Sequence, residues 1–586
     1  MDGSSACISP YRRLSLIAWA TTAMLLGFLC LVHLGVLLSF LTRHAILPFV
    51  APAALVIALA LGDWLARREG LVGLARGWPL GLTLGLTVLA VGVASAFYDL
   101  SWDGQWYHQV AIYRLAEGWN PLKDPMHDFV NHIQMCLRHY AKGPWYASAA
   151  MMSTTGTIEG GKFVTWIALD ATVLAVMAAC LDADLRRDRA IVVSVLIALN
   201  PVTTTEMFSF MVDGLMIGYL ACATAALFGG FQRPRPLVIF VGVAAAICSI
   251  NCKSTGLVYL CFILAGAGLY CLWKRRDLFR RFAGLSLGTV VLGTVLFGYN
   301  PYVTNTLYRG HPFYPYGGSE AYPSLAQQGK EGIEKWETPH NMVGRNRLVR
   351  HALALFGQPG AQPYNGGTDA LPMWPFLVPA EKLVVYHAHE VRVAGFGPFF
   401  SGALLLSLAL TLWVLLKPGS PRGLVILSLI TVLASLLISV HTWWARYGPQ
   451  MYWIPFVPVV GVFWASRSRA QMALAWVLAG ILAVNALVVA DVHLDWEIRA
   501  TRTLNRQLAD LRASGKSIDV DLQRFGEAVG RRFDRWGIPY HEVPLEQIKD
   551  GCELMSVVAG YPGGIGYRVR EDSVPAARAG AAEERK

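Results

Sequence analysis

The sequence predicts a polytopic α-helical membrane protein with about thirteen transmembrane helices and a small C-terminal α/β domain. Composition is the first reason. Of 586 residues, 54% are hydrophobic and 15% charged, and mean hydropathy is +0.43. That leaves too little polar matter to cover a soluble particle of this length. The second reason is a series of apolar runs near the ~20 residues that a bilayer-crossing helix needs. The third is the distribution of Lys and Arg between successive loops.

The runs fall at 14–41, 46–65, 78–98, 161–181, 189–202, 211–230, 235–251, 255–273, 281–299, 393–416, 422–440, 447–466 and 471–491. Those at 189–202 and 235–251 are short. The first follows Arg12 and Arg13 in the manner of a signal peptide. Its apolar stretch is too long for one and no small-residue cleavage site follows, so it reads as a retained span.

With the N-terminus in the cytoplasm, the short inner segments hold nineteen basic residues. Two lie at 12–13, three at 67–76, three at 186–189, two at 233–235, five at 274–281, two at 417–422 and two at 467–469. The short outer segments hold three, Arg43, Lys253 and Arg446. Cytoplasmic loops carry such an excess, so the expectation is N-terminus inside and C-terminus outside. The net charge of +11 is then mostly this bias. Scattered over many short loops, it forms no patch for nucleic acid. Most of the ten cysteines fall inside spans and count as small apolar residues. Cys136 and Cys552 lie on the outer side, where oxidation is permitted, but one such pair decides nothing.

The polar material gathers on one side, in segments 99–160, 300–392 and 492–586. The first opens with "YDLSWDGQWYHQVAIYRLAEGWNP", whose apolar and aromatic spacing from Trp106 predicts a short amphipathic interfacial helix ending at Gly118. The second is rich in Gly, Pro and Asn and reads as irregular with short helices. The third, 492–575, opens with an amphipathic helix (Trp496, Ile498, Leu504, Leu508, Leu511) and continues with short apolar runs that suggest strands. The tail 576–586 reads as disordered. No internal repeat is evident, which weighs against a transporter built from two related halves.

Several residues in these outer segments could carry chemistry. Asp103 fits a helix N-cap or a general base, and the two roles can coexist. Asp99 reads as the polar end of the third span, with the base role in reserve. His108 and Tyr107 share the helix that Asp103 opens. Lys253 stands in a polar break, "SINCKSTGLVYL", where a cation runs against the charge bias and needs either a partner or a snorkelling path. Its Lys-Ser-Thr lacks the glycines of a phosphate-binding loop. Arg446 and His441 share "HTWWARYGPQMYWIP"; an aromatic belt explains the tryptophans but not the guanidinium, which suits phosphate oxygens. Lys253 and Arg446 together look like an anion site. Glu206 and Asp213 could bind sugar hydroxyls, pair with a cation or end a span. Lys142 in "HYAKGPWY" is the weakest candidate.

Taken together, "YDLSWDGQWYH", "HYAKGPWY", "NPVTTTEMFSFMVDG", "GHPFYPY" and "ARYGPQMYWIP" resemble the GT-C superfamily of membrane glycosyltransferases, in its dolichyl-phosphate-mannose-transferase-like branch. The likeness covers about 14–466. It implies a GT-C-like module over 1–491 that transfers a sugar from a polyprenyl-phosphate donor to an extracytoplasmic glycan, lipid or protein acceptor of the cell envelope, with inversion. It further implies Asp103 (reserve Asp99) as base on the acceptor hydroxyl, and Lys253 and Arg446 on the donor phosphate. His108, Tyr107, Glu206, Asp213, Lys142 and His441 are then candidates for substrate contact. The implied location is the bacterial inner membrane, with membrane lipids as partners. Some relatives carry adjacent acids in the first loop, whereas Asp99 and Asp103 are separated by Leu-Ser-Trp. Some use a divalent metal, and the scattered acids here form no clear metal set, so the cofactor is left open.

Two other functions compete. An O-antigen-type polymerase or ligase would place its essential residues in 300–392. A lipid-linked sugar flippase or transporter would need polar residues in mid-span, where Asp170 is one of few.

Overall fold

The structure, a computed structural model, describes residues 10–42, 44–123, 132–329, 332, 334, 337–361, 368–417, 421–548, 551–555 and 565–570. Arg43 and the 576–586 tail lie outside the described residues.

The chain is an α-helical membrane protein. Eight helices are long and apolar enough to cross a bilayer: Tyr11–Leu41, Val50–Arg68, Gly73–Ser95, Glu159–Asp182, Asp213–Gln232, Ser254–Lys274, Arg276–Phe297 and Arg469–Ser514. Pro236–Cys252, Phe400–Leu416 and Arg422–Leu436 are apolar but shorter. At the two remaining expected positions stand Arg187–Ala198, of 12 residues, and Phe456–Ala465, of 10. A helix therefore occupies each of the thirteen positions, but eight reach crossing length. The short ones have identifiable causes. Asn200-Pro201 ends the run at 189–202, because a residue before proline avoids the helical region. Gly448, Pro449 and Pro455 hold 447–455 in tight turns ahead of Phe456.

The first helix is the centre of the bundle. It packs on Val50–Arg68, Phe163–Asp182 and Pro236–Cys252, with Trp19, Leu25, Leu26, Val32 and Val36 fully buried. A helix apolar on every side belongs in such a place. Its N-terminal end is tied by Asp182, which accepts hydrogen bonds from Ser15 Oγ at 2.6 Å and Trp19 Nε1 at 2.9 Å and pairs with Arg235 at 2.7 Å. The helices Gly73–Ser95 and Arg276–Phe297 are only 28% and 11% buried across their apolar windows. They turn Val88, Leu89, Leu287 and Val291 outward, as helices facing lipid do.

The last span and the amphipathic helix after it are one element, Arg469–Ser514, of 46 residues. Ser468 caps its start and Gly515, with φ +64°, ends it. Between them stands no proline and one glycine, Gly480, so nothing breaks the helix where its pattern changes. Leu504, Leu508 and Leu511 then pack against a four-stranded sheet. Its strands are β1 (Ile518–Val520), β2 (Tyr540–Glu542), β3 (Cys552–Leu554) and β4 (Ile565–Val569), in the order β2-β1-β4-β3. β1 and β2 are parallel, joined through helix Gly526–Trp536, and the other pairs are antiparallel.

This α/β unit buttresses the loop after Gly73–Ser95. Trp102 meets Phe525 edge-on at 5.0 Å. Arg114 pairs with Glu527 at 2.9 Å and Arg531 with Glu117 at 2.7 Å. Trp536 Nε1 donates to the Tyr98 hydroxyl at 3.3 Å. Segment 300–392 is irregular, with short helices such as Thr304–Arg309 and Arg347–Leu355. Cys136 and Cys552 are both free, the first buried and the second exposed.

Candidate functional site

The loop after the third long helix is pinned by Asp99. Asp99 is fully buried. Its Oδ1 accepts from the Ser101 amide at 2.8 Å and hydroxyl at 2.7 Å, and its Oδ2 accepts from the Phe210 amide at 3.0 Å. The backbone turns so tightly here that a Cβ on Gly104 would lie 1.9 Å from Asp99 Oδ2. Glycine is therefore required, and one wide turn of helix, Gly104–His108, leads into helix Gln109–Ala116. Gly118, at φ +103°, stops it, as the spacing predicts. Such wide turns concentrate at functional sites.

Asp103 stands at the cap position of this turn but makes no cap hydrogen bond. Its carboxylate instead meets Arg446 Nη2 at 2.6 Å, with the Tyr107 hydroxyl 3.4 Å away. The cap role considered for Asp103 is thus not the one the geometry gives. Arg446 is the hub of the site. Its Nη1 lies 2.8 Å from Glu390 Oε1 and its Nε 3.2 Å from Asp213 Oδ2. The guanidinium also rests near Trp444 and Tyr447, 5.2 and 5.3 Å from the ring centroids. Lys253, in the extended break between two helices, reaches Asp213 Oδ1 at 2.5 Å and faces the Tyr447 ring at 5.0 Å. Asp103, Arg446, Asp213 and Lys253 therefore form one continuous ion network, joined by Glu390.

The network's electrostatics follow from burial and pairing. Burial pushes the Asp103 carboxyl up, but the charge and hydrogen bond of Arg446, aided by Lys253, outweigh it and hold Asp103 below the usual carboxylate range. For Glu390 burial wins, and its carboxyl sits above that range despite Arg446. His108 is pushed down to about 3, mainly by burial. Trp145 Nε1 donates to its Nδ1 at 2.7 Å, which fixes the neutral ring with its proton on Nε2.

A cavity opens beside the network. Asp213, Lys253 and Arg446 form its charged wall, and His108, Tyr107 and Trp145 line the first-loop side. Tyr140 and Tyr316 close another side, their rings stacked at 6.0 Å and their hydroxyls 2.5 Å apart. This wall joins segments 99–160 and 300–392. Aromatic faces beside ionic groups suit a polar ring compound carrying a charged tail.

Not every candidate reaches this cavity. Glu206 is fully buried, and its Oε2 accepts from the Gly214 amide at 2.7 Å, closing the turn before helix Asp213–Gln232. Lys142 donates to the carbonyls of Arg138 at 3.2 Å and Tyr140 at 2.9 Å, which holds the end of helix His132–His139. His441 stands at the turn entering the Trp443–Trp444 pair, where its carbonyl accepts from the Trp444 amide at 3.0 Å. None of these three lines the cavity, and neither Asp99 nor Asp103 does; Asp103 meets it through Arg446.

Glu390 was not legible in the sequence. It lies in "HAHEVRV", which has neither helical nor strand periodicity, and its partner Arg446 is in another segment. Arg392, two residues on, pairs with Glu337 and comes within 3.9 Å of Glu390. Behind Glu390, His389 turns the other way, toward His493 and Glu497 on the long helix.

Comparison of the chain with models of protein families, with curated proteins and with solved structures finds no match.

Proposed function

We propose that this chain is a glycosyltransferase of the GT-C type, moving a sugar from a polyprenyl-phosphate carrier to an extracytoplasmic glycan, lipid or protein acceptor with inversion. The observation that carries the reading is the ion network in which Asp103 is joined through Arg446 and Asp213 to Lys253, with Arg446, Asp213 and Lys253 lining an aromatic cavity. A direct displacement needs both ends of that arrangement. Asp103 is the base for the acceptor hydroxyl, and Lys253, with Arg446, takes the phosphate that leaves.

The ion pairs give the two ends a connection. In the structure Arg446 is engaged by three carboxylates and Lys253 by one. A donor phosphate competes for these cations and loosens the hold of Arg446 on Asp103. The carboxylate then becomes more basic as the donor arrives. Charge grows on the phosphate as the glycosidic bond breaks, so a fixed ammonium stabilises the transition state more than the bound donor. The tyrosines and Trp145 supply faces for the sugar ring.

The reading includes thirteen spans in a bacterial inner membrane, with the N-terminus cytoplasmic and the C-terminus periplasmic. Nineteen basic residues against three in the short loops support that orientation. It places the network on the outer side, where polyprenyl-linked sugars are used.

The test offers the protein in lipid a panel of polyprenyl-phosphate sugars with a crude envelope-glycan acceptor, and follows free polyprenyl phosphate. Acceptor-dependent release is expected. Joining of preformed glycan blocks without that release would replace the reading by a polymerase or ligase. Movement of donor across sealed vesicles with no bond broken would replace it by a flippase.

A further inference from the structure

We propose that His389, His493 and Glu497 form a transition-metal site, zinc being the ion their donors suit best. One ligand atom of each lies within 4.8 Å of the others. All three residues are buried, with Glu497 fully so. The site is separate from the ion network of Arg446 and does not depend on the transferase reading.

The hydrogen bonding around the trio is that of ligands in search of a cation. His493 Nδ1 lies 3.1 Å from the His387 carbonyl. A carbonyl can only accept, so the proton is on Nδ1 and Nε2 carries a bare lone pair. That lone pair faces a carboxylate oxygen, Glu497 Oε1, at 3.7 Å. Two acceptors facing each other repel unless a proton or a cation stands between them. Fixing a histidine's tautomer through a backbone carbonyl is the usual way a metal ligand is oriented.

Glu497 strengthens the case. Among the described residues neither of its oxygens receives a hydrogen bond. His389 Nε2 is 3.0 Å from Oε1, close enough to pair with it when the ring is protonated, while His389 Nδ1 has no hydrogen-bond partner. A shared proton between His389 and Glu497 would settle one contact and leave Oε2 and His493 Nε2 unanswered. A divalent cation settles all three residues together. The setting is dry and shaped: the two imidazoles meet edge-on at 5.1 Å, and Phe208 stacks on His493 at 6.1 Å.

Two imidazoles and one carboxylate favour zinc and its neighbours over magnesium or calcium, which prefer all-oxygen shells. His493 and Glu497 are one helical turn apart on Arg469–Ser514, and His389 comes from the loop before Phe400. The ion therefore clamps that loop to the long helix. Glu390, next in the chain to His389, is the residue so positioned against Arg446.

Protein purified in detergent without chelator would be assayed for metal by inductively coupled plasma mass spectrometry, for wild type, Glu497→Gln and His493→Gln. Stoichiometric zinc is expected in wild type, falling to background in both variants, with intact folding judged by their melting transitions. Cobalt exchanged into wild type should give the visible absorption of a nitrogen–oxygen site, absent from Glu497→Gln. Should a variant fail to fold, the cobalt spectrum of wild type still decides. Wild type that neither carries zinc nor takes up zinc or cobalt on incubation overturns the proposal, as does metal retained undiminished in folded variants.

Discussion

Arg446 Nη2 lies 2.6 Å from Asp103 Oδ2, across 343 positions of sequence. The contact fastens the loop after Gly73–Ser95 to the turn before the helix Phe456–Ala465, and it holds the Asp103 carboxyl below the usual carboxylate range. Arg446 serves Asp213 and Glu390 at the same time. Its removal would leave the buried Asp213 and the partly exposed Asp103 and Glu390 without their common cation.

Arg446→Ala is therefore expected to destabilise the protein by about 3–5 kcal/mol, as breaking a buried ion pair does. Arg446→Lys should recover only part of this, since an ammonium cannot present a planar fork to three partners. Denaturation midpoints in detergent check both. A variant Arg446→Ala as stable as wild type would mean that the network adds nothing to the fold.

Asp99 and Asp103 should separate cleanly by substitution. Asp99 accepts three hydrogen bonds from its own loop and from Phe210. Asp99→Ala orphans those donors and should cost about 1–3 kcal/mol of stability or more. Gly104→Ala should destabilise by a similar amount, about 1–3 kcal/mol, because its Cβ would collide with Asp99 Oδ2. Asp103→Asn should leave the melting transition much closer to that of wild type. Equal losses in Asp99→Ala and Asp103→Asn would erase the distinction.

His108 gives a pH signature. Burial lowers it from an ordinary value of 6.5 to about 3, so the folded protein keeps it neutral while the unfolded chain protonates it. Its contribution is present above pH 6.5 and is lost progressively as pH falls from there toward about 3. The charged groups facing it, Asp103 and Asp213 on one side and Arg446 and Lys253 on the other, oppose one another. In His108→Gln the fall in melting temperature between pH 6.5 and pH 4 should be shallower than in wild type. A steeper fall in the variant would contradict the burial of a neutral ring.

Much of the frame was legible because apolar runs and their punctuation act locally. Gly118 ends the interfacial helix where the spacing places it, and helices stand at every apolar run. Length was less legible. The run at 447–466 yields only Phe456–Ala465, since prolines and Gly448 claim its first half for turns. The fusion of the last span with the amphipathic helix went unread because a change of pattern was taken for a change of element. The site was legible as single residues and not as a constellation. Lys253 and Arg446 stood out as cations on the sparsely charged side, but their acidic partners lie in other segments. Five of the residues that stood out, Asp99, Asp103, Lys142, Glu206 and His441, do not line the cavity. His389, His493 and Glu497 were missed, although histidine and glutamate four apart on a helix were there to be seen in "HLDWE".

The central claim is that Asp103 takes the proton of the acceptor hydroxyl. The direct measurement is the rate of polyprenyl-phosphate release by wild type and by Asp103→Asn, in lipid, with an accepted donor and acceptor. Asn keeps the shape of the side chain and removes its basicity, so the expected result is a fall of about 10²–10⁴-fold in rate, with the melting transition retained. Release at the wild-type rate from Asp103→Asn would contradict the claim and return Asp103 to a purely structural partner of Arg446.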